Sequence, residues 1–287
     1  MSGDTGRPTV RSRQVARELR RLRAKSGLSA TEVGRRLGVS QSKISRIETG
    51  NLGLKEIEVA ALLGLYHVPI GRRDEILAMV RQAAEPGLVQ VHKGLPDQWQ
   101  ALIEFEQTTT ALLNYQPLMI PGLLQTADYA RAIITGTAAN ELPESEVDIK
   151  VAARLGRQAM LARPLPPRLD ILLYEPVLVA PVGGSGVLAR QLRHLADMAK
   201  RPRITIQVVP FQASPHPGLE GSFVIMEYEK DPTLVYLENR ALSIFLEEIP
   251  HIDSYRLSWQ SIKAKALTPK RSAELIARVA RNLKERT

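Results

Sequence analysis

Gln41, Ser42, Lys43, Ser45 and Arg46 stand in one short run with Asn51 close behind, and together they supply amide, hydroxyl, ammonium and guanidinium groups. Side chains of these types bond base edges in a major groove and the phosphates beside it, provided that one rigid element points them the same way. The spacing supplies that element. Ile44 and Ile47 fall on one side of a helix that opens after Ser40, whose hydroxyl suits an N-cap, and the polar residues fall on the other. Upstream, Val33 and Leu37 lie at i and i+4, Ser29 stands where an N-cap belongs with Glu32 three residues later, and Gly38 suits the left-handed residue that ends a helix. Residues 28–50 are therefore expected to form two short helices joined by a tight turn, a helix-turn-helix.

Elsewhere the chain is poor in reactive groups. It has no cysteine, which excludes disulfides, thiolate zinc sites and a Cys nucleophile. None of the five histidines sits in a His-Glu-x-x-His frame, and no Gly-x4-Gly-Lys loop or Gly-x-Gly-x-x-Gly turn after a strand occurs. Neither an Ala-Gly nor a Cys-Gly bond is present for self-cleavage. No enzyme activity, metal or cofactor is expected. Three features of the second half could still meet an effector or a partner. Glu175 ends the apolar run LDILLYE, at a strand's carboxyl end where α/β folds gather ligands. His216 stands between two prolines in SPHPGLEG and could titrate near neutral pH. Lys150, Arg154 and Arg157 recur at i, i+4 and i+7 of one helix, a basic face that a small acidic partner protein could dock on.

The elements that position these groups follow from charge and patterning. The chain of 287 residues carries a formal charge of +9, and residues 1–85, with 16 Lys or Arg against 9 Asp or Glu, hold +7 of it. A basic excess at the end that carries the polar helix is the electrostatic footprint of phosphate neutralisation. There is no apolar run of membrane-spanning length, and the opening MSGDTGRPTVRSR lacks the apolar stretch of a signal peptide, so a cytoplasmic protein without a membrane partner is expected.

In order, residues 1–11 read as a polar, flexible arm, and 12–84 as five helices forming an all-α DNA-binding domain. The first runs from a Ser12 cap to Lys25 with Val15, Leu19 and Leu22 inward and Arg13, Arg17, Arg20 and Arg21 outward. The fourth turns Ile57, Ala60, Ala61 and Leu65 inward. Residues 85–97, with Pro86, Gly87, Gly94 and Pro96, read as a linker in which His92 is solvated. Residues 98–285 follow as a regulatory α/β domain: a helix over 98–114, a helix capped by Thr126, a long helix from Pro143 to Leu161, and about four strands at LDILLYE, ITIQVVP, GSFVIMEY and LVYLEN. A helix between the first two strands predicts a parallel pair, Asp231-Pro232 suits a hairpin between the last two, and two helices close the chain. The whole is α+β.

Two resemblances extend this. Residues 28–50 resemble the helix-turn-helix of Cro/C1-type, XRE-like regulators, on the words GVS, ISRI and ETG. The resemblance implies that Gln41, Ser42 and Arg46 face base edges, that Lys43, Ser45 and Asn51 face phosphates, and that Glu48 pairs with Arg23. Ala30 stands where that family often carries a Gln bonded to the DNA backbone, so that contact does not carry over. The second half, on IPGLLQTADYARA, YEPVL and QVVPFQASPHPGLEGSFVIMEY, resembles the WhiJ-like domain that follows such modules in actinobacterial regulators. The expected function is a transcriptional regulator reading an operator in double-stranded DNA as a homodimer, its second domain receiving a small-molecule or protein signal. An antitoxin-like regulator acting with a small partner, or an enzymatic second domain under the control of the reader, are the alternatives.

Overall fold

The computed structural model describes residues 9–50, 54–82, 89–92, 102–103, 105–213, 215–240 and 242–284. Asn51 and residues 1–8 of the expected arm lie outside them. The chain divides into two compact units after residue 91, and the short stretches 230–232 and 244–249 group with the first.

The first unit holds five helices: α1 (Val10–Lys25), α2 (Ala30–Leu37), α3 (Gln41–Glu48), α4 (Glu56–Leu65) and α5 (Ile70–Gln82). Side-chain caps set the starts of the first three. Thr9 Oγ1 accepts from the Ser12 amide at 3.1 Å, Ser29 Oγ from Glu32 and Ser40 Oγ from Lys43. The α1 cap therefore lies three residues ahead of the expected Ser12, and the Ser12 hydroxyl donates back to Thr9 O. Gly38 ends α2 at φ 67°, as expected. The capping box is half made, because the Glu32 carboxylate turns instead to Arg35 and Arg36. Val15, Leu19, Val33, Ile44, Ile47, Val59, Leu62 and Leu63 form the core. Two sequence expectations are corrected here. Arg13 is buried rather than outward, and α4 turns Val59, Leu62 and Leu63 inward while Ile57 is 79% exposed. EIEVAALLGL is apolar nearly all round, so its periodicity does not choose the face.

In the stretch expected to be a linker lies a short strand, β1 (Val89–His92). The second unit is a mixed sheet with helices. Its strands are β2 (Ala111–Gln116), β3 (Arg168–Tyr174), β4 (Ile204–Val209), β5 (Phe223–Glu227) and β6 (Leu234–Glu238), in the order β6-β5-β2-β3-β4, and β7 (Leu242–Leu246) begins in this unit and ends among the residues grouped with the first. Among the described residues after 98 there are thus six strands where about four were expected. The added ones are β2, read from sequence as the end of a helix over 98–114, and β7. Residues 102–103 and 105–108 are helical, but the β-branched run Thr108-Thr109-Thr110 breaks the helix, and the Thr109 hydroxyl lies 2.7 Å from Glu227 O on β5.

β2 and β3 pair in parallel with Leu112 beside Leu169, β3 and β4 pair in parallel with Ile171 beside Ile206, and β5 runs antiparallel to both β2 and β6. The crossover from β3 to β4 is the helix α8 (Ser185–Met198), as its place in the sequence predicts. Between β2 and β3 lie α6 (Ala127–Thr137), capped by Thr126, and α7 (Glu144–Arg157), which closes in a 3-10 turn over Gln158–Ala162. The chain ends in α9 (Ile249–Lys265) and α10 (Pro269–Lys284). The turn between them shields the edge of β4: Leu267 N donates to Val208 O, and Val208 N donates to Ser272 Oγ at 2.9 Å.

Candidate nucleic-acid interface

Helix α3 presents Gln41, Ser42 and Arg46 to solvent, with Ser45 half-buried beside them. What holds this face rigid lies behind it. Arg23, late in α1, donates through Nε to both Glu48 carboxylate oxygens at 2.8 and 3.0 Å and through Nη1 to Leu28 O. Tyr66 donates its hydroxyl to Glu48 Oε1 at 3.2 Å. Glu48 is 4% exposed, and this pair raises the Arg23 pKa, while burial and the Glu48 charge raise that of Tyr66. One carboxylate therefore ties α1, α3 and the end of α4 together, at the place where a buried charge is tolerated only with full partners.

The turn is as closely built. A Cβ on Gly34 would stand 2.7 Å from Val39 O and 3.2 Å from Gln41 N, so only glycine lets α2 approach the start of α3. In front, a cleft of about 220 Å³ is lined by Arg20, Arg23, Ala30, Gln41, Ser45, Glu48 and Thr49. Ala30, lacking the longer polar side chain, leaves this cleft open beside Gln41. Lys43 is differently placed from the expectation of a free phosphate contact. Its Nζ is 2.9 Å from Glu58 Oε1. Sequence spacing gave no sign of Glu58 or Tyr66 here, because both reach α3 from α4.

Residues 14–76 match the family model described as Helix-turn-helix domain. The first unit is thus a DNA-binding helix-turn-helix domain. Residues 99–278 match the model described as Domain of unknown function (DUF5753). The chain belongs to the DUF5753 family. None of the curated proteins matches it. A solved structure of TrmBL2, an archaeal chromatin protein described as showing a novel mode of DNA binding, is similar with a TM-score of 0.29 and 9% identity over 84% of this chain and 88% of that chain, a likeness too slight to carry an argument.

Within the DUF5753 unit the expected partner residues do not gather into one site. Lys150 pairs with Glu146 on its own helix. Arg154 and Arg157, expected on a docking face, turn inward: Arg157 forks onto Glu106 at 2.8 and 2.6 Å, and Arg154 donates to Gln125 Oε1 at 2.8 Å. The helical spacing was right about the shared face, but that face is covered by the bend after β2 and by the chain before it. Glu175 accepts from the Phe211 amide at 2.8 Å, which fixes the loop after β4. His216 is 6% exposed, edge-on to Tyr115 and Tyr174 with ring centroids 6.0 and 5.3 Å away. Burial, then the Lys265 charge, lower its pKa. Lys265 Nζ holds the same loop by donating to Ala213 O and Pro215 O. Among the described residues no helix is long and apolar enough to cross a membrane.

Proposed function

We propose that this chain is a sequence-specific transcriptional regulator of the Cro/C1 type, in which α3 enters the major groove of an operator. The observation that carries this reading is the exposed trio Gln41, Ser42 and Arg46 on a helix locked from behind by the Arg23–Glu48–Tyr66 network. Amide and guanidinium groups held in one orientation suit bidentate bonds to adenine and guanine edges, and Ser45 suits a phosphate. Lys43 would reach a phosphate by exchanging Glu58 for it. One such helix touches few base pairs, so two copies reading a near-palindrome supply the affinity and specificity that regulation needs. The DUF5753 unit, WhiJ-like in its sequence words, acts as the receiver of a small-molecule or protein signal. It binds rather than catalyses, and the protein works in the cytoplasm with the DNA it reads.

Selection of bound fragments from a randomised duplex library tests this with the full chain. The expected outcome is enrichment of a near-palindrome with half-site centres about 10–10.5 base pairs apart. Retention of DNA without any enriched sequence would reduce the protein to a non-specific DNA binder.

A further inference from the structure

Gly122, in the bend after β2, lies against two arginines of α7: a Cβ there would be 3.7 Å from Arg154 Cδ and 3.8 Å from Arg157 Nη1. The two guanidinium groups are served differently. Arg157 spends Nε and Nη2, one edge of its fork, on the Glu106 carboxylate, and with side chains 14% and 6% exposed that pair is closed. Arg154 spends Nη1 on a neutral acceptor, Gln125 Oε1, and its buried Nε has no acceptor among the described residues. The edge with which Arg157 grips a carboxylate is therefore unpaired in Arg154, its Nε buried without an acceptor among the described residues.

The neighbours fix this arrangement. Gln125 Nε2 donates to Ile120 O at 2.7 Å, which commits Gln125 Oε1 to Arg154, and Gln158 Nε2 lies 3.0 and 2.8 Å from Gly122 O and Gln125 O. Glu238 attracts both arginines through space, while Arg157 repels Arg154. An arginine keeps its proton even when buried, so a desolvated guanidinium with a neutral partner is costly until an anion joins it. Two parallel N–H bonds from the unpaired edge suit an oxyanion.

We propose that Arg154, beside Arg157 and braced by Gln125, binds the oxyanion group of a small effector, a phosphate or a carboxylate, inside the DUF5753 unit. This rests on the reading of that unit as the receiver, and it replaces an external acidic docking partner with an internal anionic ligand.

The test is thermal unfolding of the full chain in sodium phosphate and in sodium acetate, each against sodium chloride at equal ionic strength. A saturable rise in midpoint of about 5 °C is expected in at least one of the two anions. A rise in phosphate alone assigns a phosphoryl ligand, and one in acetate alone a carboxylate. Because the helix-turn-helix also attracts phosphate, the decisive comparison is Arg154→Met, which should lose the rise when each midpoint is compared with the variant's own midpoint in chloride. Arg154→Lys, which keeps the charge but not the fork, should weaken the anion's apparent affinity at least about tenfold. No saturable rise over chloride, an undiminished rise in Arg154→Met, or parental affinity in Arg154→Lys would overturn the site. The DNA selection above is read separately. A chain that enriches no operator but keeps the Arg154-dependent rise retains the anion site and loses the regulatory role.

Discussion

Arg46 and Glu48 lie two residues apart on one helix and face opposite ways: the first is exposed and proposed to meet a base, the second is buried and serves the fold. Replacing Arg46 with Ala should leave unfolding unchanged, weaken operator binding by about 1–3 kcal/mol and relax the preference at one base position. A loss of equal size on every DNA sequence would show that Arg46 holds phosphate instead. Glu48→Ala strips Arg23 and Tyr66 of their shared acceptor and leaves a largely buried cation unpaired, so the first unit should lose about 3–5 kcal/mol in urea unfolding. His216 yields a pH prediction. Burial depresses its folded pKa below the ordinary 6.5, so the unfolded chain takes up the proton first and stability falls as pH drops through that value. Lys265 adds to the same direction, and His194 behaves alike through its own burial. Melting midpoints from about pH 7 to pH 5 should decline, less steeply in His216→Phe. A slope unchanged in that variant would assign the effect to His194.

At the scale of elements, the turn between α2 and α3 depends on a glycine inside a helix rather than at its end. Gly34→Ala would force a Cβ to within 2.7 Å of Val39 O, and prising the helices apart should cost about 1–3 kcal/mol and reduce operator affinity with it, as urea unfolding and a binding titration on the same sample would show. Normal stability with weak binding would mean that the helices shift without strain. What was legible in the sequence was what is decided locally. The caps Ser29, Ser40 and Thr126 and the left-handed Gly38 act within three or four residues, and all appear where spacing put them. What was not legible is decided by distant partners. ALLNY is buried on both faces as β2 and so shows no alternation, and it becomes a strand because β3 and β5 flank it. Arg154 and Arg157 share a face by helical period, but only the fold brings Glu106 and Gln125 onto it. The polar face of α3 was legible as a set of residues, whereas the Lys43–Glu58 pair was not, because Glu58 comes from another helix.

That pair matters for how the whole molecule meets DNA. The first 85 residues hold +7 of the +9 net charge, so long-range attraction to phosphate is built into the reading end. Part of it is held back, since Lys43, with its side chain 37% exposed, is neutralised by Glu58 in the free protein. Each cation that comes to rest on a phosphate adds about 0.9 to the slope of log affinity against log salt. Glu58→Gln leaves Lys43 without its carboxylate and free to take a phosphate at no exchange cost. Operator titrations between about 50 and 200 mM salt should therefore give tighter binding at the low end for the variant. The slope should steepen by up to about one unit for each copy of α3 on the duplex, to the extent that Glu58 keeps Lys43 off its phosphate in the parent. A steepening near two would count two readers on one operator. An unchanged slope with tighter binding would mean that Lys43 already holds its phosphate in the parent by exchange, whereas unchanged slope and affinity would mean that it faces none and that the contacts setting the helix on the backbone belong to Ser45 and its neighbours.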